Sequence, residues 1–295
     1  MRAFPIGRKS VRPEGPAESV AAYPLEHDYS IVQRTSVLYS NYRCGTNFVK
    51  SVLSRVSEVH QVDELFAREE AGGGEDFAFS KYIRGKKPDV SELLLSPERG
   101  LRRYLNYIYA DVPDSGAVLF DVKYEHAYRL GVDGQDQTPI VLTQFRHLDL
   151  PIIHLIRRDA IAQALSHLVA SRTGVYMNLR GSAAGGAQDS ERYWFDPAEV
   201  LRLARGRIYI HEQARTQLQL LGARTITAYY EDLTGPRWRE QFQRLCRFLD
   251  IYVEIPNDFV PDTVNQRSGE RVANRDEILD YVQDNAPELV HTYAA

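Results

Sequence analysis

Short apolar runs alternate with amphipathic stretches over most of the chain, and their order predicts the fold. Thr35–Ser40 (TSVLYS) reads as a buried strand. A polar, Gly-containing turn follows (NYRCGTN), and then Phe48, Val49, Val52, Leu53 and Val56 recur at helical spacing. The strand, turn and helix pattern repeats. Ala117–Lys123 (AVLFDVK) and Ile152–Ile156 (IIHLI) are apolar strands, and Ala160–Val169 carries Ile161, Ala164, Leu165 and Leu168 on one helical face. Arg224–Tyr230 (RTITAYY) is a further strand, with a helix from about Arg237 to Leu249 behind it. Strands alternating with helices imply a parallel sheet covered on both faces, and apolar β-branched strands suit its central positions. The expected architecture is α/β, with three layers in a single domain over 29–295.

Some stretches fall outside this alternation. Residues 1–28 are rich in Pro, Gly and charge and read as an arm that is poorly ordered or packs late. Glu69–Asp76 (EEAGGGED) reads as a flexible acidic loop. Arg180–Ser190, followed by ERYWFDP, combines small residues with aromatic ones and suits either a lid or a plain connection.

Composition narrows the class. With 43% hydrophobic and 26% charged residues the chain has ample apolar material for a core. A net charge of −4 argues against a general nucleic-acid binder, so an anionic ligand would need a local basic pocket. Two cysteines, Cys44 and Cys246, exclude a disulfide framework and a cysteine-rich zinc site, and Cys246 is expected to pack in the core. The histidines show no metal-ligand spacing, so no metal site is expected. There is no GxSxG hydrolase motif. Residues 1–20 lack the apolar centre of a secretory signal, and no apolar run is long enough for a membrane span, so a cytoplasmic enzyme is expected.

The candidate chemistry begins at Ser40–Asn47, SNYRCGTN, between strand and helix. A helix N-terminus offers unpaired N–H groups and the positive end of a dipole. Gly45 lets the backbone approach an oxyanion closely. Thr46 and Asn47 can cap the helix and donate to phosphate oxygens, and Arg43 adds a forked cation. An ordinary capped turn would have the same sequence. The Walker pattern GxxxxGK[ST] is absent, because no lysine follows Gly45. A second element follows IIHLI: Arg158 stands at the strand end, and Ser166 lies eight residues later.

With these residues in place the chain resembles the sulfotransferases that use 3′-phosphoadenosine 5′-phosphosulfate (PAPS). YRCGTNFVKSVL resembles their 5′-phosphosulfate loop, which puts Arg43, Cys44, Gly45, Thr46, Asn47 and Phe48 on the donor-binding positions. LIRRDAIAQALS resembles the 3′-phosphate motif, and its RRDxxxQAxS wording is closest to the bacterial trehalose-type carbohydrate enzymes. TAYYEDL resembles the family's strand-plus-EDL element. VNQRSGERVANRDEI resembles the C-terminal tail, which implies that Arg267 and Arg271 reach the donor. Asn47 stands where a hydroxyl residue is usual, and the tail lacks the RKGxxGDW pattern of cytosolic members.

The resemblance implies a P-loop-like sulfotransferase that moves a sulfuryl group from PAPS to an acceptor hydroxyl, without a metal. A sugar or glycolipid acceptor is implied, with a phenol or a lipid alcohol left open, and a homodimer is possible. Lys123, Arg43 and the loop amides would stabilise charge on the leaving phosphate. Two groups compete as base. Glu64, twenty-one residues after Arg43, matches the trehalose-type glutamate and would work best with a raised pKa. His126, in KYEH, resembles the KTH pattern shifted by one residue. Tyr124, Tyr128 and Trp194 are candidates for stacking on a sugar. Another nucleotide-dependent transferase of kinase-like type, or a non-catalytic nucleotide-binding module, would also fit these residues.

Overall fold

The structure, a computed structural model, describes residues 29–62, 64–66, 82, 96–133, 137–174, 191–256, 258–259 and 268–293. In chain order the elements are α1 (Tyr29–Gln33), β1 (Thr35–Ser40), α2 (Thr46–Val56), β2 (Val59–Val62), α3 (Pro97–Tyr109) and β3 (Ala117–Lys123). Next come the short α4 (Tyr124–Ala127), β4 (Val132–Asp133), β5 (Thr138–Pro139), α5 (Ile140–His147), β6 (Ile152–Ile156), α6 (Ala160–Thr173) and α7 (Pro197–Leu221). The chain continues with β7 (Thr225–Tyr229), α8 (Tyr230–Thr234), α9 (Trp238–Phe248), α10 (Arg275–Asn285) and α11 (Pro287–Tyr293). The expected strands at 35–40, 117–123 and 152–156 appear with the same bounds.

Five strands form one sheet in the order β2-β3-β1-β6-β7, and every pairing in it is parallel. Burial follows position. β1 and β6 are buried along their whole length, whereas the edge strand β7 alternates and β2 is mostly half-buried. Alternate side chains of β1 feed two cores. Val37 and Tyr39 pack with Phe120, with Leu101, Tyr104 and Leu105 of α3 and with Phe145 of α5. Leu38 packs with Leu119, Leu155, Val49, Val52 and Leu53 of α2 and Phe242 and Cys246 of α9. Helices therefore cover both faces, as the alternation predicts. A third cluster joins α6 to α7 and α10 through Ile161, Leu165, Val200, Leu201 and Ile278. Among the described residues no helix is long and apolar enough to cross a membrane.

This strand order places a crevice. The connection after β1 runs toward the β2 edge, and the one after β6 runs toward β7. Neighbouring strands whose connections part in opposite directions leave a cleft beyond their C-terminal ends, where ligands of open α/β sheets bind. The loop at 41–45 and the turn at 157–159 flank that point.

Candidate functional site

Asn41, buried at the end of β1, opens the loop. Its Oδ1 accepts from the Tyr42 amide at 2.8 Å and from Arg207 Nη1 of α7 at 2.7 Å. Arg43 (φ 64°) and Gly45 (φ 89°) both take the left-handed conformation, which turns the chain sharply into α2. Gly45 occupies the capping position, and among the described residues no side chain caps the helix. Neither Thr46 nor Asn47 plays the capping part expected of it. Among the described residues no side chain bonds the first-turn amides of α2 as a cap, and a helix start of this kind suits an anion.

A β-carbon at Gly45 would lie 2.2 Å from Cδ2 of Tyr230, so the ring of α8 fills the space a side chain would need. Gly45→Ala should therefore cost about 1–3 kcal/mol through strain and displacement of the ring, measurable by urea unfolding. Wild-type stability in that variant would show that the turn relaxes freely.

Cations converge on the loop from remote stretches. Arg43 Nε donates to Ser166 Oγ of α6 at 3.0 Å, which joins the first motif to the second. Lys123, 3% exposed at the end of β3, donates to Thr46 Oγ1 at 3.1 Å and to Asp121 Oδ1 at 2.7 Å. Lys50, one turn into α2, reaches Asp121 Oδ2 at 3.2 Å. Two buried ammonium groups thus share one buried carboxylate. Burial alone would raise the Asp121 pKa, but Lys123 and Lys50 outweigh it and hold the carboxyl below its usual range. Glu64, at positive φ, brings Oε1 to 3.8 Å from Lys123 Nζ.

The arginine doublet divides its work. Arg157 Nη1 approaches the Arg43 carbonyl at 3.4 Å, and its guanidinium lies 5.0 Å from the centre of the Tyr230 ring. Arg158 pairs with Asp232 and lies over Tyr229. Glu231 accepts from the amides of Arg158 and Asp159, both at 3.1 Å, so the EDL stretch braces the turn after β6.

On the other side of the loop, the Tyr42 hydroxyl donates to Glu125 Oε1 at 2.7 Å and lies 2.7 Å from His126 Nε2. Its single proton is spent on Glu125, so Nε2 carries the hydrogen and donates to Tyr42. His126 is 2% exposed, and burial, with Arg129 and Lys123 nearby, pushes its pKa down to about 3. Burial likewise pushes His154 to about 3, helped by His211 and Arg215, and His211 to about 4, helped by Arg207.

These depressed values make stability pH-dependent. His167 is lowered as well, chiefly by burial, so below the ordinary histidine pKa the unfolded chain binds protons at these four histidines more readily than the native protein does, and acid favours unfolding. Asp159 opposes this, because burial raises its carboxyl to about 6 and the native state keeps that proton. The histidines outnumber Asp159, so the net effect near pH 5 is a loss of stability as pH falls. Urea melts at pH 7, 6 and 5 measure it, and equal midpoints would contradict the burial of these rings.

The structure brings Arg43, Gly45, Thr46, Lys123, Glu64 and Ser166 to one crevice. Cys44 points away from it: its thiol is fully buried, accepts from Gln163 Nε2 at 3.2 Å and is pushed up to about 11, chiefly by burial. Asn47 is half-buried at the start of α2, and Phe48 packs edge-on against Phe242. Arg271 lies over Tyr193, in a turn packed on α6. Arg267 lies outside the described residues, as do 1–28, the acidic loop at 69–76 and the Gly-rich stretch at 180–190. Tyr124 is corrected as a sugar platform, because it is buried and bonded to His154 and His211. Tyr128 and Trp194 are exposed.

Sequence reading missed Lys50, Asp121, Arg157, Tyr42 and Gln163. Asp121 carried a signal, since a carboxylate inside an apolar strand must find partners to be buried. The others needed the fold.

No protein-family model matches the chain, and no curated protein matches it. Solved structures that match the chain over most of its length include two sulfotransferases. One is a sulfotransferase from Alicyclobacillus acidocaldarius, at 14% identity and a TM-score of 0.40, covering 85% of this chain and 95% of that one. The other is mouse sulfotransferase SULT7A1 complexed with PAP, at 10% identity and a TM-score of 0.41, covering 89% of this chain and 88% of that one.

Proposed function

We propose that the chain is a PAPS-dependent sulfotransferase acting on an acceptor hydroxyl, with a sugar or glycolipid as the acceptor class. One observation carries the reading. Arg43, Ser166, Thr46 and Lys123, drawn from three separate stretches, meet around an uncapped helix N-terminus at the sheet's switch point. The fit to a donor that is anionic at both ends is good. The α2 amides, Arg43 and Lys123 would hold its 5′ end, and Ser166 and Arg158 its 3′ phosphate. The Arg158–Asp232 pair is about 40% exposed on both sides, and such pairs are weak enough to exchange for a phosphate. When bound, PAPS supplies a sulfuryl group already attached to a phosphate leaving group.

The residues around that position divide the remaining work. Lys123 and the loop amides stabilise negative charge without having to reorganise. Glu64 is the base. It is 28% exposed, stands beside Lys123 and can take a proton from an incoming hydroxyl. His126 is a poorer base, because its Nε2 already carries a hydrogen committed to Tyr42 and its pKa is far below neutrality. Its part is to hold Tyr42.

The test is calorimetry and melting with adenosine 3′,5′-bisphosphate, followed by transfer of ³⁵S from PAPS to an acceptor panel. Binding should add about 2.7 kcal/mol of stability at a hundredfold excess over Kd. Glu64→Gln should lower kcat about a hundredfold and leave the bisphosphate Kd unchanged. No heat with the bisphosphate, together with stabilisation by ATP and Mg²⁺, would overturn the assignment in favour of a kinase-like enzyme.

A further inference from the structure

The loop is held from beneath by a chain of buried hydrogen bonds that no role above uses. Gln163, on the first turn of α6, is fully buried. Its Nε2 donates to the Tyr42 carbonyl at 2.7 Å and to Cys44 Sγ at 3.2 Å, so one amide grips the residues on either side of Arg43. Its Oε1 lies 3.2 Å from His211 Nε2 of α7. His211 Nδ1 lies 3.0 Å from the Tyr124 hydroxyl, which is 2.7 Å from His154 Nε2.

Counting donors fixes the direction of every link. The Gln163 oxygen can only accept, so His211 carries its hydrogen on Nε2. In the neutral ring Nδ1 then accepts from Tyr124, and Tyr124 accepts from His154. Each bond dictates the next and strengthens it. A flipped Gln163 amide would set its oxygen against the Tyr42 carbonyl and push the loop away.

We propose that Gln163 and His211 are positioning residues for the anion loop: His211 sets the orientation of the Gln163 amide, and that amide sets the backbone at Tyr42 and Cys44. This rests on the loop being the donor-phosphate site. A side chain held this way aims Arg43 and the α2 amides without touching the ligand.

Two substitutions at one position separate this role from simple packing. His211→Asn keeps an acceptor near Nδ1 for Tyr124 but cannot reach Gln163. His211→Gln keeps a donor near Nε2 for Gln163 but loses Tyr124. Each deletes one buried bond, so both should lower Tm by similar amounts. The calorimetric Kd for adenosine 3′,5′-bisphosphate should part them. His211→Asn should weaken binding about tenfold, the worth of one hydrogen bond, and His211→Gln by less than about threefold. Gln163→Met, which removes both bonds to the loop, should behave like His211→Asn and serves if that variant does not fold. Unchanged Kd in His211→Asn and Gln163→Met, or equal losses in both His211 variants, would overturn the positioning role. A wild-type protein that does not bind the bisphosphate would overturn the donor reading itself and the positioning role with it.

Discussion

Lys123→Met should lower kcat for sulfuryl transfer about a thousandfold, the upper range for removing one preorganised charge donor. The expectation follows from what Lys123 touches. Its ammonium bonds Thr46 Oγ1 at the start of α2 and stands 3.8 Å from Glu64, between the donor loop and the proposed base. The fold should survive, because Asp121 keeps Lys50 at 3.2 Å and methionine fills nearly the same volume. Donor Kd should rise only a few-fold, since Arg43 and the loop amides remain. Steady-state rates and calorimetry on the same preparation separate the two effects. A variant with full kcat would remove Lys123 from the chemistry.

Asp121→Asn should be the most damaging single change to stability, at about 3–5 kcal/mol, because it leaves two buried ammonium groups without the carboxylate they share. Asp121 is wholly buried in β3, opposite Leu38 of β1, where water cannot replace the lost charge. A Tm fall of roughly 10 °C is expected for a chain of this size. Adding Lys50→Met should recover part of the loss, since one of the two ammonium groups that shared Asp121 goes with it. If the double variant is no more stable than the single, the cost of Asp121→Asn does not come from charge.

The central strands were legible because they are apolar on both sides. TSVLYS, AVLFDVK and IIHLI have no solvent face, and their patterns announce it. β2 (VHQV) was not legible, since an edge strand of four residues can carry polar side chains and still pair. α7 was harder still. Its inward stripe runs through Val200, Leu201, Ala204, His211, Ala214 and Leu218, and it is interrupted by a histidine where the helix passes beneath the loop. The residue that breaks the apolar pattern is the one in contact with Gln163. Of the site, Arg43, Gly45, Thr46, Lys123 and Ser166 could be read from local motifs. Gln163, Arg157 and Lys50 could not, because their partners are set by which strands lie side by side.

The packing of Tyr230 on Gly45 also limits how this site can be redesigned. A new donor contact cannot be introduced by adding a side chain at 45, because the backbone angle and the ring both forbid it. Shrinking Tyr230 would lift only the second obstacle. Half-buried Asn47, the second residue of α2, meets neither obstacle and is a position from which the proposed donor preference can be altered without rebuilding the turn.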